Sequence, residues 1–330
     1  MTVLVTGGAG YIGSHTVLYL KERGIDVVVI DNMKKGHRPA VLDVPMYTGD
    51  LADGSTLDEI FQKHDIDSVI HFAADSLVGE SVEDPLRYYE NNVNGTLQLF
   101  KKMLEHSVKK IVFSSTAAVY GEPKSIPIRE SDPTFPANPY GETKLAIEKM
   151  LKWADQAYGL KSVCLRYFNA AGADPKGRIG EDHQPETHLI PIVLQAALGQ
   201  RDHVAIYGED YPTEDGSCVR DYIHVIDLAQ AHYLALKKLD QTNESGIYNL
   251  GNGQGFSVKQ VIEACRRVTD KDIKAIASPR RAGDPAVLIA SSQKAEEELG
   301  WKPQYTSLDT IVEHAWQWHQ NHPNGYNDKE

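Results

Sequence analysis

Cysteine is scarce in this chain: three in 330 residues, Cys164, Cys218 and Cys265, widely spaced and without a Cys-x-x-Cys pair. An odd, scattered set excludes a disulfide framework and a thiolate zinc site, and fits buried thiols in a reducing cytoplasm. Basic charge is also short. Thirty-four Lys and Arg against forty-six Asp and Glu leave a formal net charge of -12. No dominant basic face can form, which excludes nucleic acid as a partner and means that an anionic ligand would need local arginines. No apolar run is long enough to cross a bilayer, so no membrane association is expected. Thr2–Thr6 enters a strand without a charged lead or a cleavage site, so no secretory leader is expected. Repeats and low-complexity tracts are lacking too.

What is present is an alternation. Val3–Val5, Val27–Ile30, Val69–Phe72, Ile111–Phe113 and Val163–Leu165 are short β-branched runs, with Met46–Thr48 a weaker one, and helical stretches follow at Ile12–Arg23, Asp53–His64, Pro85–His106 and Tyr140–Ala157. Runs apolar on both faces that alternate with helices imply an α/β, Rossmann-like, doubly wound parallel sheet with ligands at the carboxyl ends of its strands. After residue 170 the rhythm gives way to Gly- and Pro-punctuated loops around a helix at Leu189–Gly199. Two units are expected: residues 1–170 to bind a dinucleotide, with about 219–252 returning to the same sheet, and a smaller substrate-binding unit over 171–330.

The helix Pro85–His106 carries an apolar stripe of Leu86, Tyr89, Val93, Leu97, Phe100 and Leu104, with Tyr88, Leu99 and Met103 outside it. A helix lying on a sheet needs one apolar face. Its second is read either as deeper burial within the chain or as a homodimer contact, and a homodimer is expected.

Gly7, Gly10 and Gly13 stand between a strand and a helix. Side chains at the first two would obstruct the tight turn and the approach of a pyrophosphate, and at the third would lift the helix off the strand. The helix N-terminus, at Tyr11 and Ile12, offers free amides to phosphates. Asp31, 18 residues past Gly13, suits the ribose hydroxyls and repels the extra phosphate of NADP, which selects NAD. Asn32, Met33, Lys34, Lys35 and Gly36 follow on the cofactor side, and Asp50 and Leu51 after the next strand can reach the adenine.

Tyr140 and Lys144 are four apart at the start of a helix and share one face. Forming a phenolate at neutral pH costs about 4 kcal/mol unless a cation or donor stabilises it. Lys144 and an oxidised nicotinamide are expected to lower that cost together, making Tyr140 a general base. Thr116, at the end of Ile111–Thr116, is the expected hydroxyl donor to a substrate oxygen.

TGGAGYIGSH (Thr6–His15), SSTAAVYG (Ser114–Gly121), YGETK (Tyr140–Lys144), LRYFNAAG (Leu165–Gly172), GEDYPTEDGSCVRDYIHV (Gly208–Val225) and RRAGD (Arg280–Asp284) occur in this order from end to end. They resemble the extended short-chain dehydrogenase/reductase family and, within it, the isomerases that epimerise the 4-position of UDP-hexoses in galactose metabolism. The resemblance implies that Tyr140 takes the proton of the sugar 4-hydroxyl while hydride passes to tightly held NAD, and that hydride returns to the opposite face of a 4-keto sugar. UDP-galactose and UDP-glucose would interconvert without net redox. It also implies that Phe72, Ala73, Ala74, Ser76, Asn91 and Phe168 line the cofactor. Asn169, His188, Leu189, Ala205, Ile206, Tyr207, Arg220, Arg281 and Asp284 would hold the UDP part.

Three positions depart from the commoner pattern of that branch: Ser76 stands where many members have lysine, His188 replaces an asparagine, and Leu288 stands where others have a bulky tyrosine or a smaller residue. A leucine of intermediate size favours UDP-glucose and UDP-galactose and leaves N-acetylated sugars open. A nucleotide-sugar 4,6-dehydratase or decarboxylase is the nearest rival, yet Ala117 and Ala118 follow Thr116 where a dehydratase typically carries a carboxylate. The other rival is a non-catalytic NAD-binding regulator. His71, His224 and His232 lie on separate elements without close carboxylate or cysteine partners, so no metal is expected.

Overall fold

The computed structural model describes residues 1–281 and 284–327. Ala282 and Gly283 of the Arg280–Asp284 motif lie outside the described residues. Strands β1 (Thr2–Thr6), β2 (Asp26–Asp31), β3 (Met46–Thr48), β4 (Ser68–His71), β5 (Lys110–Ser114) and β6 (Lys161–Arg166) alternate with helices α1 (Tyr11–Lys21), α2 (Gly54–Lys63), α3 (Val78–Glu83), α4 (Pro85–Tyr88), α5 (Gly95–Glu105) and α6 (Pro139–Tyr158). Then come β7 (Asn169–Ala171), α7 (Leu189–Ala197), β8 (Val204–Tyr207), β9 (Val219–Arg220), β10 (Tyr222–His224), α8 (Val225–Thr242) and β11 (Gly246–Asn249). The chain continues through β12 (Phe256–Ser257), α9 (Val258–Thr269), β13 (Ala275–Ser278), β14 (Val287–Leu288), α10 (Gln293–Leu299) and α11 (Leu308–Asn321).

Seven strands form one parallel sheet in the order β11-β6-β5-β4-β1-β2-β3. Its residues explain why both faces are covered. Side chains alternate along a strand: Val3, Val5, Val27, Val29, Ile70 and Val112 pack with Val17 and Leu20 of α1 and Leu228 and Leu236 of α8. Leu4, Val28, Ile30, Val69, Ile111 and Phe113 face the other way, onto Leu57 and Ile60 of α2, Leu99 and Met103 of α5, and Ile147 and Leu151 of α6. The strand order reverses between β1 and β4, so a crevice is expected at the carboxyl ends of this pair. The chain returns to this sheet at β11, which pairs with β6.

A third core joins α7, α9 and α11 with β8 through Ile190, Val193, Leu194, Val204, Val261, Ile262, Ile311 and Val312. The loop-rich half also forms two- and three-stranded pieces, β10-β7, β12-β9-β14 and β13-β8, which are too short for periodicity to reveal.

One expectation needs correction. Pro85–His106 is not one regular helix: α4 and α5 are joined by a π-helical stretch over Tyr89–Asn94. Its buried face includes Tyr88, Asn92, Thr96, Leu99, Phe100 and Met103, whereas Leu86 is 79% exposed, Tyr89 42% and Leu97 39%. Hydropathy misleads there because the inward polar groups are satisfied. Asn92 accepts from Asp75 N (2.8 Å) and donates to Asp75 O (3.0 Å), and the Thr96 hydroxyl donates to Asn92 O. Near the C-terminus, Tyr326 is anchored by its N donating to Asp182 Oδ2 at 3.0 Å.

Candidate active site

The loop after β1 is built on close approach. Gly7 has φ +71°, and a Cβ there would sit 2.6 Å from Ala73 N; a Cβ on Gly13 would sit 2.1 Å from Gly7 O. Gly13 therefore sets how closely α1 lies on the loop, and Gly7 how closely the loop lies on Phe72–Ala73. Gly10 is the N-cap of α1 and brings no capping side chain, so the first-turn amides of Tyr11 and Ile12 are available to an anion. This cradle fits a dinucleotide pyrophosphate. Tyr11 is held by its hydroxyl on Gly172 O at 2.6 Å, and Ile12 packs against the core.

Asp31 ends β2 and is buried. Its Oδ2 accepts from Ala9 N (3.0 Å) and its Oδ1 from Met33 N (2.9 Å), which uses two of about four lone-pair positions and leaves two for ribose hydroxyls. Burial raises its pKa against these two bonds. Gly36 passes so close that a Cβ would meet Asp31 Oδ1 at 3.0 Å. Asn32 Nδ2 donates to Asp50 Oδ2 (3.1 Å), and Lys34 lies 3.4 Å from the same oxygen. Lys35 instead donates to Gln184 O (2.9 Å), across to the other half of the chain. Leu51 is buried. Phe72 packs on His232 with ring centroids 4.6 Å apart. Ala73 and Ala74 are half-buried, Ser76 is exposed and Asn91 is half-buried.

The catalytic candidates converge at the carboxyl end of β5. Thr116 caps the short turn Ala117–Tyr120, its Oγ1 accepting from Ala118 N at 3.1 Å. Asn138 caps α6 through Gly141 N (2.9 Å) with Pro139 in its first turn, which fixes Tyr140 and Lys144 on one side of that helix. Burial pushes the Tyr140 phenol up to about 12, opposed by a hydrogen bond with Thr116. Burial brings the Lys144 ammonium down to about 7 despite the charge of Glu148. Lys144 Nζ donates to Ser114 O at 2.9 Å and lies 5.9 Å from the centre of the Tyr140 ring. The Thr116 hydroxyl therefore opposes the rise of the phenol, while Lys144 is fastened to the strand carbonyl beside the Tyr140 ring.

Sequence reasoning missed the polar frame behind these groups. Ser115 Oγ donates to Glu148 Oε1 (2.6 Å), Arg166 pairs with Glu148 (2.5 and 2.9 Å) and donates to Tyr120 Oη (2.8 Å), and Tyr120 donates to Asn249 Oδ1 (2.7 Å). The frame ties α6, β5, β6 and β11 together directly beneath Lys144. His71 is fixed between Thr6 Oγ1 (2.6 Å) and Thr96 Oγ1 (2.8 Å). A carboxylate four residues after a YxxxK lysine was the available signal.

On the other wall, Phe168 and Leu288 pack together against Ala117, Val119, Tyr120, Ile128 and Leu145, so β14 delivers Leu288 to the turn that follows Thr116. Leu288 pairs in register with Arg220. Arg220 donates to Asp284 Oδ1 at 2.9 Å, and Arg281 stacks over the Tyr207 ring at 4.0 Å. Asn169 Nδ2 donates to Asp221 O (3.0 Å). Ala205 is half-buried, but the Ile206 side chain belongs to the third core. Leu189 opens α7, and the ring of His188 before it faces Glu181 and Glu186.

Residues 3–251 match the NAD dependent epimerase/dehydratase family. The chain is 70% identical over 326 residues to a UDP-glucose 4-epimerase of Halalkalibacterium halodurans, covering 99% of this chain and 98% of the relative. It is 57% identical over 330 residues to one of Lacticaseibacillus casei, with both chains fully covered. A crystal structure of UDP-glucose 4-epimerase from Bifidobacterium longum in complex with NAD+ and UDP superimposes with a TM-score of 0.93 at 42% identity, over 99% of this chain and 100% of that one. The chain belongs to the NAD-dependent epimerase/dehydratase family.

Proposed function

We propose that the chain is an isomerase that interconverts UDP-glucose and UDP-galactose by inverting the 4-position of the hexose. The carrying observation is the convergence of Thr116, Tyr140 and Lys144 at the end of β5, beside the β1–α1 cradle and followed by Ala117 and Ala118 rather than a carboxylate. Likeness over the whole chain to relatives named UDP-glucose 4-epimerase supports the same reading. Bound NAD supplies a reversible acceptor for the C4 hydride and a fixed positive charge beside the phenol. Tyr140 Oη takes the proton of the sugar 4-hydroxyl and later returns it, the Thr116 hydroxyl donates to the same oxygen, and Lys144 holds the geometry through Ser114 O. Arg220 and Arg281 neutralise the diphosphate as forked donors.

In this reading residues 1–170, joined by about 219–252, hold the cofactor, and 171–330 hold the UDP-sugar. Leu288 beside Phe168 favours unsubstituted hexoses. The exposed stripe Val82, Leu86, Tyr89 and Leu97 supports a homodimer, and three buried free thiols suit the cytoplasm. Sedimentation showing only monomer at micromolar concentration would count against the dimer.

Purified protein should convert UDP-galactose to UDP-glucose without added NAD. Tyr140→Phe should lower turnover by about 10²- to 10⁴-fold while bound nucleotide is retained; unaltered turnover would overturn the assignment, and a 4-keto-6-deoxy product would point to dehydration.

A further inference from the structure

Four side chains on the strap between β7 and α7 converge on one point. Glu181, His183, Glu186 and His188 each offer one donor atom, and these atoms all lie within 4.8 Å of one another. His183 Nδ1 lies 3.1 Å from Glu181 Oε1 and 3.7 Å from Glu186 Oε2; His188 Nδ1 lies 2.9 Å from Glu181 Oε1 and 3.1 Å from Glu186 Oε1. A tetrahedral zinc ion with bonds of about 2.0 to 2.2 Å sets its ligands about 3.3 to 3.5 Å apart. The His–Glu separations of 2.9 to 3.7 Å bracket that edge, with Glu186 turning Oε1 to His188 and Oε2 to His183, so small side-chain rotations would bring one atom of each residue onto the tetrahedron.

A second observation separates this from an ordinary ion-pair cluster. The Glu181 and Glu186 side chains are each only 4% exposed, yet Glu181 Oε1 and His183 Nδ1 have no hydrogen-bond partner among the described residues despite lying 3.1 Å apart. Buried polar atoms of folded proteins are nearly always satisfied. Close approach without hydrogen-bond alignment is the arrangement of donors that share a cation. We propose that Glu181, His183, Glu186 and His188 form a tetrahedral zinc site.

Four protein ligands make the site closed and structural rather than catalytic, and imidazole with carboxylate suits zinc ahead of manganese or iron. Its place in the fold gives the ion a task. The strap also accepts from Lys35 Nζ at Gln184 O (2.9 Å), meets His37 Nε2 at Asp182 O (3.1 Å), and ends where His188 caps α7. His183 packs edge-on against Tyr11, ring centroids 6.0 Å apart. Zinc would fix the path of the strap, which itself touches Tyr11, Lys35 and His37, up to the first turn of α7. The site stands on its own ligands and does not rest on the proposed activity.

The full chain, prepared without a histidine tag, loaded with zinc sulfate and desalted, should retain about one zinc per chain by elemental analysis. The double variant His183→Gln/Glu186→Gln should lose it. Replacing zinc with cobalt(II) in the unmodified chain should give the visible bands of tetrahedral cobalt. Zinc lost from the unmodified chain on desalting, a six-coordinate cobalt spectrum, or equal zinc in a double variant with unchanged circular dichroism would each overturn the proposal. Should the double variant fail to fold, zinc content and the cobalt spectrum of the unmodified chain decide.

Discussion

The histidines of the nucleotide-binding sheet and those of the strap are the same residue put to opposite uses. Burial lowers His15 to about 4, His71 to about 3 with help from the Lys144 charge, and His232 to about 4. None is hydrogen-bonded to a carboxylate, the charges of Asp174 and Glu181 raise His15 too little to offset burial, and each serves as a neutral packing group, as His71 does between two threonine hydroxyls. Burial acts the same way on His183 and His188, but close contact with the Glu181 and Glu186 carboxylates outweighs it and lifts them to about 9 and about 10. Burial alone therefore does not say what a histidine does. The deciding factor is whether a carboxylate touches the ring, as Glu181 and Glu186 touch His183 and His188.

The sharpest way to break this comparison is to remove a carboxylate from the strap. Glu181→Leu should cost about 3 to 5 kcal/mol, because it strips charge compensation from groups that stay buried; a loss below about 1 kcal/mol in denaturant unfolding would show that the strap is not a compensated cluster.

Acid should probe the other side. Below the ordinary histidine pKa of 6.5, the unfolded chain binds protons at His15, His71 and His232 that the folded chain refuses until about 4, 3 and 4. The unfolded state then holds more protons, so stability falls as pH drops through this window, by up to about 1.4 kcal/mol per pH unit for each group. Equal denaturation midpoints at pH 7 and pH 5 would contradict neutral burial.

The smallest effect belongs to His232→Leu. It removes one hydrogen bond to Leu228 O and should cost at most about 1.5 kcal/mol, well below the strap substitution; a larger loss by thermal unfolding would mean that His232 does more than pack.

Much of the cofactor half is legible from sequence because its signals are local. The tight turn at Gly7, the helix pitch linking Tyr140 to Lys144 and the β-branched runs each follow from neighbouring residues. Even there, Leu86, Tyr89 and Leu97 of the apolar stripe over Pro85–His106 face outward, while Asn92 and Thr96 are buried by partners far along the chain. The strap is illegible for a related reason: Glu181, His183, Glu186 and His188 fit no helical or strand period and match none of the usual metal-ligand spacings. Only the folded path of the loop brings them together.

The sequence by itself determined a parallel α/β sheet, a dinucleotide cradle and a tyrosine-lysine face, because short-range sterics and hydropathy dictate all three. Tertiary structure decided how charge behaves. It tied Lys144 to Ser114 O, set the Thr116 hydroxyl against the Tyr140 phenol, carried Leu288 to the turn after Thr116, and brought four donor residues around one point. Those outcomes depend on desolvation and on distances between remote segments, which no local pattern encodes.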